Sequence, residues 1–304
     1  MKILLMALPG AEALAEALAA RLHCAATTLE AHRFPDGETV VRLRTAVEGR
    51  RVVLVAHLDH PDTKTLPLLF AADAARELGA AEVGLVAPYL PYMRQDERFR
   101  PGEAITSRTY ARLLSSTVDF LLTVDPHLHR WPSLDAIYTI PNRVVPAAPA
   151  IAEWLAREVP DALIVGPDME SEQWVADVAA RLGVPWVVMA KVRRGDRDVQ
   201  VRLPEGADAA GRTPVLLDDI ASSGQTLATA SRVLRGAGWP APWCVAVHAL
   251  LDALLDASGM DLLHRAGIVR VASCDTIPHP TNAIPVAGLL AQALQDWYPT
   301  EPAP

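Results

Sequence analysis

VLLDDIASSGQT, residues 215–226, carries the densest chemistry in the chain. Val215, Leu216 and Leu217 read as the end of a buried strand. Two adjacent carboxylates follow, Asp218 and Asp219, and then the small and hydroxyl-bearing residues Ala221, Ser222, Ser223, Gly224 and Thr226. From Gln225 to Arg235 the spacing becomes helical, with Leu227, Ala230 and Leu234 on one face. A strand, a tight turn and a helix N-terminus in this order make an anion site. The turn's amides and the positive end of the helix dipole converge there, and the hydroxyls of Ser222, Ser223 and Thr226 can add donors. The acidic pair needs a different partner, because carboxylates repel an anion. Vicinal hydroxyls fit: acceptor-only groups take two O–H donors, or share a divalent cation with them. A phosphate and a cis-diol a few ångströms apart describe a ribose 5-phosphate.

The bulk of the chain sets the limits. Its 304 residues accommodate one large or two medium domains, and 51% hydrophobic residues are ample for a sizeable core. A formal charge of −8 argues against a general binder of nucleic acid or anionic membrane. No apolar run is long enough to span a bilayer. The opening MKILLMALPG reads as a first strand rather than a secretory signal. Cys24, Cys244 and Cys274 stand apart without metal-ligand spacing, which suits reduced thiols in a cytoplasmic protein. Lysine occurs only at Lys2, Lys64 and Lys191, so Lys191 stands out beside the abundant arginine.

Outward from the central stretch, strands and helices alternate. Strands are expected at Ile3–Leu8, Thr39–Arg44, Arg51–Ala56, Val83–Ala87, Phe120–Val124, Leu163–Val165, Pro185–Ala190, Val199–Leu203, Val245–Ala249 and Ile268–Ala272. Helices are expected at Ala11–Leu22, Leu66–Leu78, Thr106–Ser116, Val145–Glu158, Glu170–Leu182 and Ile284–Leu294. HRFPDGET, residues 32–39, carries a Pro-Asp-Gly turn and by itself reads as a hairpin. Residues 88–106, PYLPYMRQDERFRPGEAIT, crowd charges between prolines and read as a mixed-charge loop. Asp125-Pro126-His127 ends a buried strand, where α/β proteins place ligands. Lys191-Val192-Arg193-Arg194 opens a cationic, Gly-bearing loop suited to charge stabilisation over transferring phosphoryl groups. VVLVAHLDHPDTKTL, residues 52–66, repeats the strand–turn–helix order of residues 214–227 without the acids and the glycine, which reads as an internal duplication. No Gly-Lys pair exists, so a P-loop kinase is excluded.

These segments together resemble the ribose-phosphate diphosphokinase family, of type I phosphoribosyltransferase-like fold, and look nearer its archaeal-type branch. The resemblance runs from about Arg33 to Leu294. It implies an α/β protein of two tandem phosphoribosyltransferase-like domains, each a mainly parallel sheet flanked by helices, with boundaries 1–143 and 144–304. The last helix is expected to be able to pack back on the first domain. It implies transfer of the β,γ-diphosphoryl group of ATP to the 1-hydroxyl of ribose 5-phosphate, with Mg2+ as cofactor. RF-x-DGE would place Phe34, Asp36 and Glu38 on ATP, reaching into a neighbouring subunit, so a homo-oligomer of at least two chains is implied. PY-x-x-Y-x-RQD would add Arg94 and Gln95 to the nucleotide site. Asp218, Asp219, Ser222, Ser223, Gly224, Gln225 and Thr226 would bind ribose 5-phosphate. His127 of D-x-H and Asp168 of the Pro-Asp motif would serve the metal, and Lys191 and Arg193 of K-x-R would be catalytic. CDTIP, residues 274–278, matches a further family segment.

Two departures stand out. PDMES, residues 167–171, has Glu170 and Ser171 where the family has small residues, which puts the local fit around the sugar and diphosphate in question. Gln225 replaces a glycine of the common bacterial loop. Two rivals share parts of the pattern. A base-transferring phosphoribosyltransferase needs the sugar loop but not the RF-x-DGE, RQD and K-x-R segments together. A non-catalytic regulatory paralogue is favoured by PDMES and opposed by Lys191, Arg193, His127 and both aspartates.

Overall fold

The computed structural model describes residues 2–194, 198–251 and 258–298, with the side chains of 191–200 and 258 outside that description. The chain divides into two compact units, residues 1–145 with 287–304, and residues 146–286. The first unit runs β1 (Ile3–Ala7), α1 (Glu12–Leu22), β2 (Ala25–Thr28), β3 (Glu30–Arg33), β4 (Thr39–Arg42), β5 (Arg51–Val55), α2 (Pro61–Glu77), β6 (Glu82–Val86), α3 (Thr106–Thr117), β7 (Phe120–Val124) and β8 (Asn142–Val145). The second runs α4 (Ala148–Glu158), β9 (Ala162–Gly166), α5 (Glu172–Leu182), β10 (Trp186–Val188), β11 (Ala190–Arg194), β12 (Asp198–Arg202), β13 (Thr213–Ala221), α6 (Gln225–Gly236), β14 (Trp243–Ala249), α7 (Ser258–Arg265), β15 (Arg270–Cys274) and β16 (Asn282–Ile284). A closing helix, α8 (Ala287–Trp297), returns to the first unit.

Each unit holds one six-stranded parallel sheet, ordered β2-β1-β5-β6-β7-β8 in the first and β10-β9-β13-β14-β15-β16 in the second. Renumbered within its own unit, each sheet reads 2-1-3-4-5-6. Each unit also inserts an antiparallel hairpin, β3–β4 or β11–β12, between its second and third parallel strands. The two halves therefore share a topology as well as a motif. The stretches at 52–66 and 214–227 turn out to be the same element, the third strand and its following helix.

The strands form where short Val, Leu and Ile runs can be covered on both faces. In the first unit Leu4, Met6, Val52, Leu54, Val83 and Leu85 share one core with Leu68, Ala71, Ala72 and Ala75 of α2 and with Tyr110, Ala111 and Leu114 of α3. On the other side α1 and α8 pack together. Phe120 explains why α8 belongs here. Its ring lies where a Cβ on Gly84 would sit, at 1.9 Å, and Trp297 stacks on it with centroids 4.9 Å apart. Arg143 Nη1 donates to the Ala293 carbonyl at 3.1 Å. The boundary thus falls after Val145 rather than Arg143, and residues 287–304 join the first unit instead of the second.

Several elements depart from their expected bounds. Helix α2 begins at Pro61, five residues before Leu66, because Pro61 suits the first turn and Pro67 is accommodated inside the helix. Residues 142–145 pair with β7 as an edge strand, so α4 starts at Ala148 and not at Val145. Strand β15 starts at Arg270 rather than Ile268, because Gly267 at φ +87° and the Ile268 amide, bonded to the Leu263 carbonyl at 3.1 Å, complete the end of α7. Helix α7 itself, and the edge strands β2, β8 and β16, have no counterpart among the expected elements.

Candidate functional site

In an open parallel sheet, ligands bind beyond the carboxyl ends of the strands, where the strand order reverses. That point lies between β9 and β13 in the second unit. Asp168 follows β9 directly, and Asp218 to Thr226 form the end of β13, the turn and the start of α6. The residues singled out around the sugar therefore converge on one switch point.

Strand β13 is longer than its three apolar residues suggest, running through Ala221 and pairing with β14 as far as Ala221–Ala249. The acids thus belong to the strand, and alternation gives them different surroundings. Asp219 is buried, at 4% exposure, while Asp218 is half-buried. Each turns an oxygen back on the chain: the Asp219 amide donates to Asp218 Oδ1 at 3.1 Å, and the Ile220 amide to Asp219 Oδ1 at 2.7 Å. Burial pushes the Asp218 carboxyl well above the usual carboxylate range, and the charges of Asp219 and Asp168 push it further. Three carboxylates in mutual repulsion at a strand end are an oxygen-donor set suited to a hard divalent cation or to sugar hydroxyls.

The turn that follows is narrow. Gly224 sits at φ +73° as the N-cap of α6, and a Cβ there would lie 3.2 Å from Leu263 Cδ2 and 3.3 Å from the Gly259 carbonyl oxygen. Both backbone angle and space demand glycine. At the start of α6 the Gln225 amide donates to Ser223 Oγ at 3.4 Å. First-turn amides have no intrahelical acceptors, and a helix start of this kind suits an anion. Gln225, the first residue of α6, is exposed, so its bulk does not press on the turn.

The PDMES departure resolves into packing. Ser171 is buried, its hydroxyl donating to the Asp168 carbonyl at 2.5 Å, and it fills the space above Gly166, where a Cβ would meet Ser171 Oγ at 2.4 Å. The Glu170 amide donates to Asp168 Oδ1 at 3.0 Å, so the segment winds a short 3-10 turn, residues 169–171, that orients the aspartate.

The equivalent switch point of the first unit is altered. His60 holds the left-handed position, at φ 50°, that Gly224 holds in the second. Leu54 and Val55 end the strand where the second unit carries acids. Lys64 bonds Asp59 at 2.6 Å and His60 lies 3.2 Å from it. Burial acts to raise the Asp59 carboxyl, but Lys64 and His60 outweigh it and hold it below the ordinary range. Asp62 accepts from the Tyr92 hydroxyl. Asp62 lies in the first turn of α2, and Asp59 just precedes its N-cap His60.

The residues expected on the nucleotide lie on other loops of the first unit. Phe34, Asp36 and Glu38 form the tip of the β3–β4 hairpin, closed by Phe34 N to Glu38 O at 2.8 Å, with Gly37 at φ +94°. Phe34 is 43% exposed and meets the His32 ring edge-on at 4.9 Å. Arg94 and Gln95 follow β6 on a segment pinned by buried Tyr89, Leu90 and Met93. The Ser107 hydroxyl donates to the Gln95 carbonyl at 3.0 Å, while both side chains of Arg94 and Gln95 are exposed. Arg130 takes Asp96 and Glu97, each at 2.9 Å. His127 follows β7, its ring 3.7 Å from that of His129. Lys191 and Arg193 lie on β11, whose backbone pairs with β12, and their side chains are outside the described part.

Gly259 and Leu263 of α7 back the turn and were not foreseen. A Cβ on Gly259 would come within 2.7 Å of the Leu251 carbonyl oxygen. The spacing of Met260 and Leu263 was the available signal.

A tandem of parallel α/β units, one of them ending its third strand in acids and a hydroxyl turn, is a phosphoribosyltransferase-like architecture. Residues 3–117 match the N-terminal domain of ribose phosphate pyrophosphokinase, and residues 133–295 match the phosphoribosyl transferase domain. A ribose-phosphate pyrophosphokinase of Methanopyrus kandleri is 34% identical over 92% of this chain and 94% of its own. One from Halobacterium salinarum is 35% identical over 86% of this chain and 89% of its own. The crystal structure of phosphoribosylpyrophosphate synthetase from Mycobacterium smegmatis superposes with a TM-score of 0.84 at 25% identity, covering 98% of this chain and 99% of that one. The chain belongs to the ribose-phosphate pyrophosphokinase family.

Proposed function

We propose that this chain transfers the β,γ-diphosphoryl group of ATP to the 1-hydroxyl of ribose 5-phosphate, giving phosphoribosyl diphosphate and AMP. The observation that carries this reading is the second unit's switch point, where the N-terminus of α6 and the Ser222–Thr226 turn adjoin Asp218, Asp219 and Asp168. Ser222, Ser223, Gly224, Gln225 and Thr226 hold the 5-phosphate, and Asp218 and Asp219 take the 2- and 3-hydroxyls directly or through a cation. Phe34, Asp36, Glu38, Arg94 and Gln95 bind ATP. Lys191 and Arg193 offset charge on the transferring group.

Mg2+ is the cofactor in this reading, served by His127 and Asp168, and the carboxylate chemistry of the second unit suits it. The exposure of Phe34 at a hairpin tip supports a base-stacking role in a neighbouring copy, and hence a homo-oligomer. A cytoplasmic setting accords with the thiols of Cys24 and Cys244, and no helix among the described residues is long and apolar enough to cross a membrane.

AMP release from ATP and ribose 5-phosphate, followed with the purified chain and Mg2+, tests the reading. Chelation is expected to abolish turnover and added Mg2+ to restore it. Lys191→Ala is expected to lower kcat by about 10²–10³ with ribose 5-phosphate binding retained. Full activity in that variant would remove the lysine from the mechanism, and failure of the wild-type chain to form AMP would overturn the activity.

A further inference from the structure

The CDTIP segment has no role in the reading above, yet it forms a clasp at the far side of the second sheet. The Asp275 amide donates to the Ile284 carbonyl at 3.1 Å, and Asp275 Oδ1 accepts from the Val286 amide at 2.7 Å. Asn282 Nδ2 donates to the Cys274 carbonyl at 2.8 Å. Thr276, fully buried, turns inward to β14, where His248 is buried to 1% exposure. Thr276 Oγ1 lies 2.7 Å from the Val247 carbonyl oxygen and 2.9 Å from His248 Nδ1.

These two distances determine the tautomer. An oxygen–oxygen contact of 2.7 Å to a carbonyl requires the single hydroxyl proton, because a carbonyl cannot donate. With its proton committed there, Thr276 Oγ1 can only accept from His248, so Nδ1 carries hydrogen. The histidine stands beside the phosphate turn. Ile220 pairs with His248 and Ala221 with Ala249, and the Leu250 amide donates to the Ala221 carbonyl at 2.7 Å. Ala221 is the last strand residue before Ser222. The height of the β14 end, held by Thr276 through His248 and Val247, thus sets where the turn begins.

We propose that His248 is a positioning residue for the 5-phosphate turn, held as its Nδ1–H tautomer by Thr276 of the CDTIP segment. This rests on the sugar-phosphate site proposed above. The test uses the full chain with Mg2+: calorimetric affinities for ribose 5-phosphate and for ATP, and ¹⁵N-histidine NMR with the His248 signal identified by its loss in H248N. The Nδ1–H tautomer is expected. Thr276→Val, which removes the acceptor, is expected to weaken ribose 5-phosphate about tenfold. ATP affinity should change by less than about twofold, and Thr276→Ser should restore the sugar affinity to within about twofold. An Nε2–H tautomer would overturn the proposal, as would loss of ATP affinity in step with the sugar, which marks general unfolding. Wild-type binding that T276V leaves unchanged overturns this inference alone. A wild-type chain that binds no ribose 5-phosphate overturns the site reading and this one with it.

Discussion

Asp218 stands where stability and binding oppose each other. Burial and the charges of Asp219 and Asp168 raise its pKa in the folded chain, so the native state keeps its proton to higher pH than the unfolded state does. Between the ordinary carboxylate range and that raised value, the folded state binds more protons. Stability therefore falls as pH climbs through the window and is fully present below it. Asp218→Asn removes the charge while keeping the shape. In the metal- and ligand-free chain at neutral pH it is expected to raise stability by about 0.5–2 kcal/mol, with the gain shrinking in acid. The same change is expected to weaken ribose 5-phosphate about 10–100-fold, since a charged acceptor is lost. Denaturant melts across a pH series, paired with calorimetry, check both signs. A wild-type chain that gains stability as pH rises through this window would show that the cluster is not strained.

Among the elements, the third strand and its helix carry the contrast between the halves. In β13–α6 the left-handed position is Gly224, and the strand carries acids near its end. In β5–α2 the position is His60, the strand ends in Leu54 and Val55, and Asp59 and Asp62 are engaged by Lys64 and Tyr92. The same turn geometry carries a glycine beside hydroxyls in one unit and a histidine beside paired acids in the other. Gly224→Ala tests how tightly the turn is built. Left-handed strain and contact with Leu263 and the Gly259 carbonyl are expected to take about 1–3 kcal/mol from stability. They should also raise KM for ribose 5-phosphate more than KM for ATP. Equal rises in both would mean that the turn does not discriminate the sugar. The inserted hairpins follow the same duplication, β3–β4 carrying Phe34 and β11–β12 carrying Lys191. A single topological slot thus supplies the hairpin bearing Phe34 in one unit and the hairpin bearing Lys191 in the other.

Across the whole molecule, the chain leaves its first unit after Val145, builds the second, and returns with residues 287–304. Removing those residues is expected to uncover Phe120 and the α1 face of the first unit. Burial of Leu290 and Leu294 alone contributes about 3–6 kcal/mol, so the truncated chain should lose its first-unit transition in a thermal melt and bind a hydrophobic dye. An unchanged melt would show that α8 is dispensable. The residue types of the sugar site, the alternation of strands and helices, and the repeated strand–turn–helix were all legible in the sequence, because they depend on local periodicity and on short motifs. The sequence alone therefore determined the family, the α/β class and the residue pattern at Asp218–Thr226. Only the tertiary structure decided that the acids lie within the strand, that Ser171 turns inward, that α7 backs Gly224, that Thr276 orders His248, and that the last helix belongs to the first unit. The physical reason is separation along the chain: close packing and buried hydrogen bonds join residues tens to hundreds of positions apart, and no local pattern records which partner each will meet.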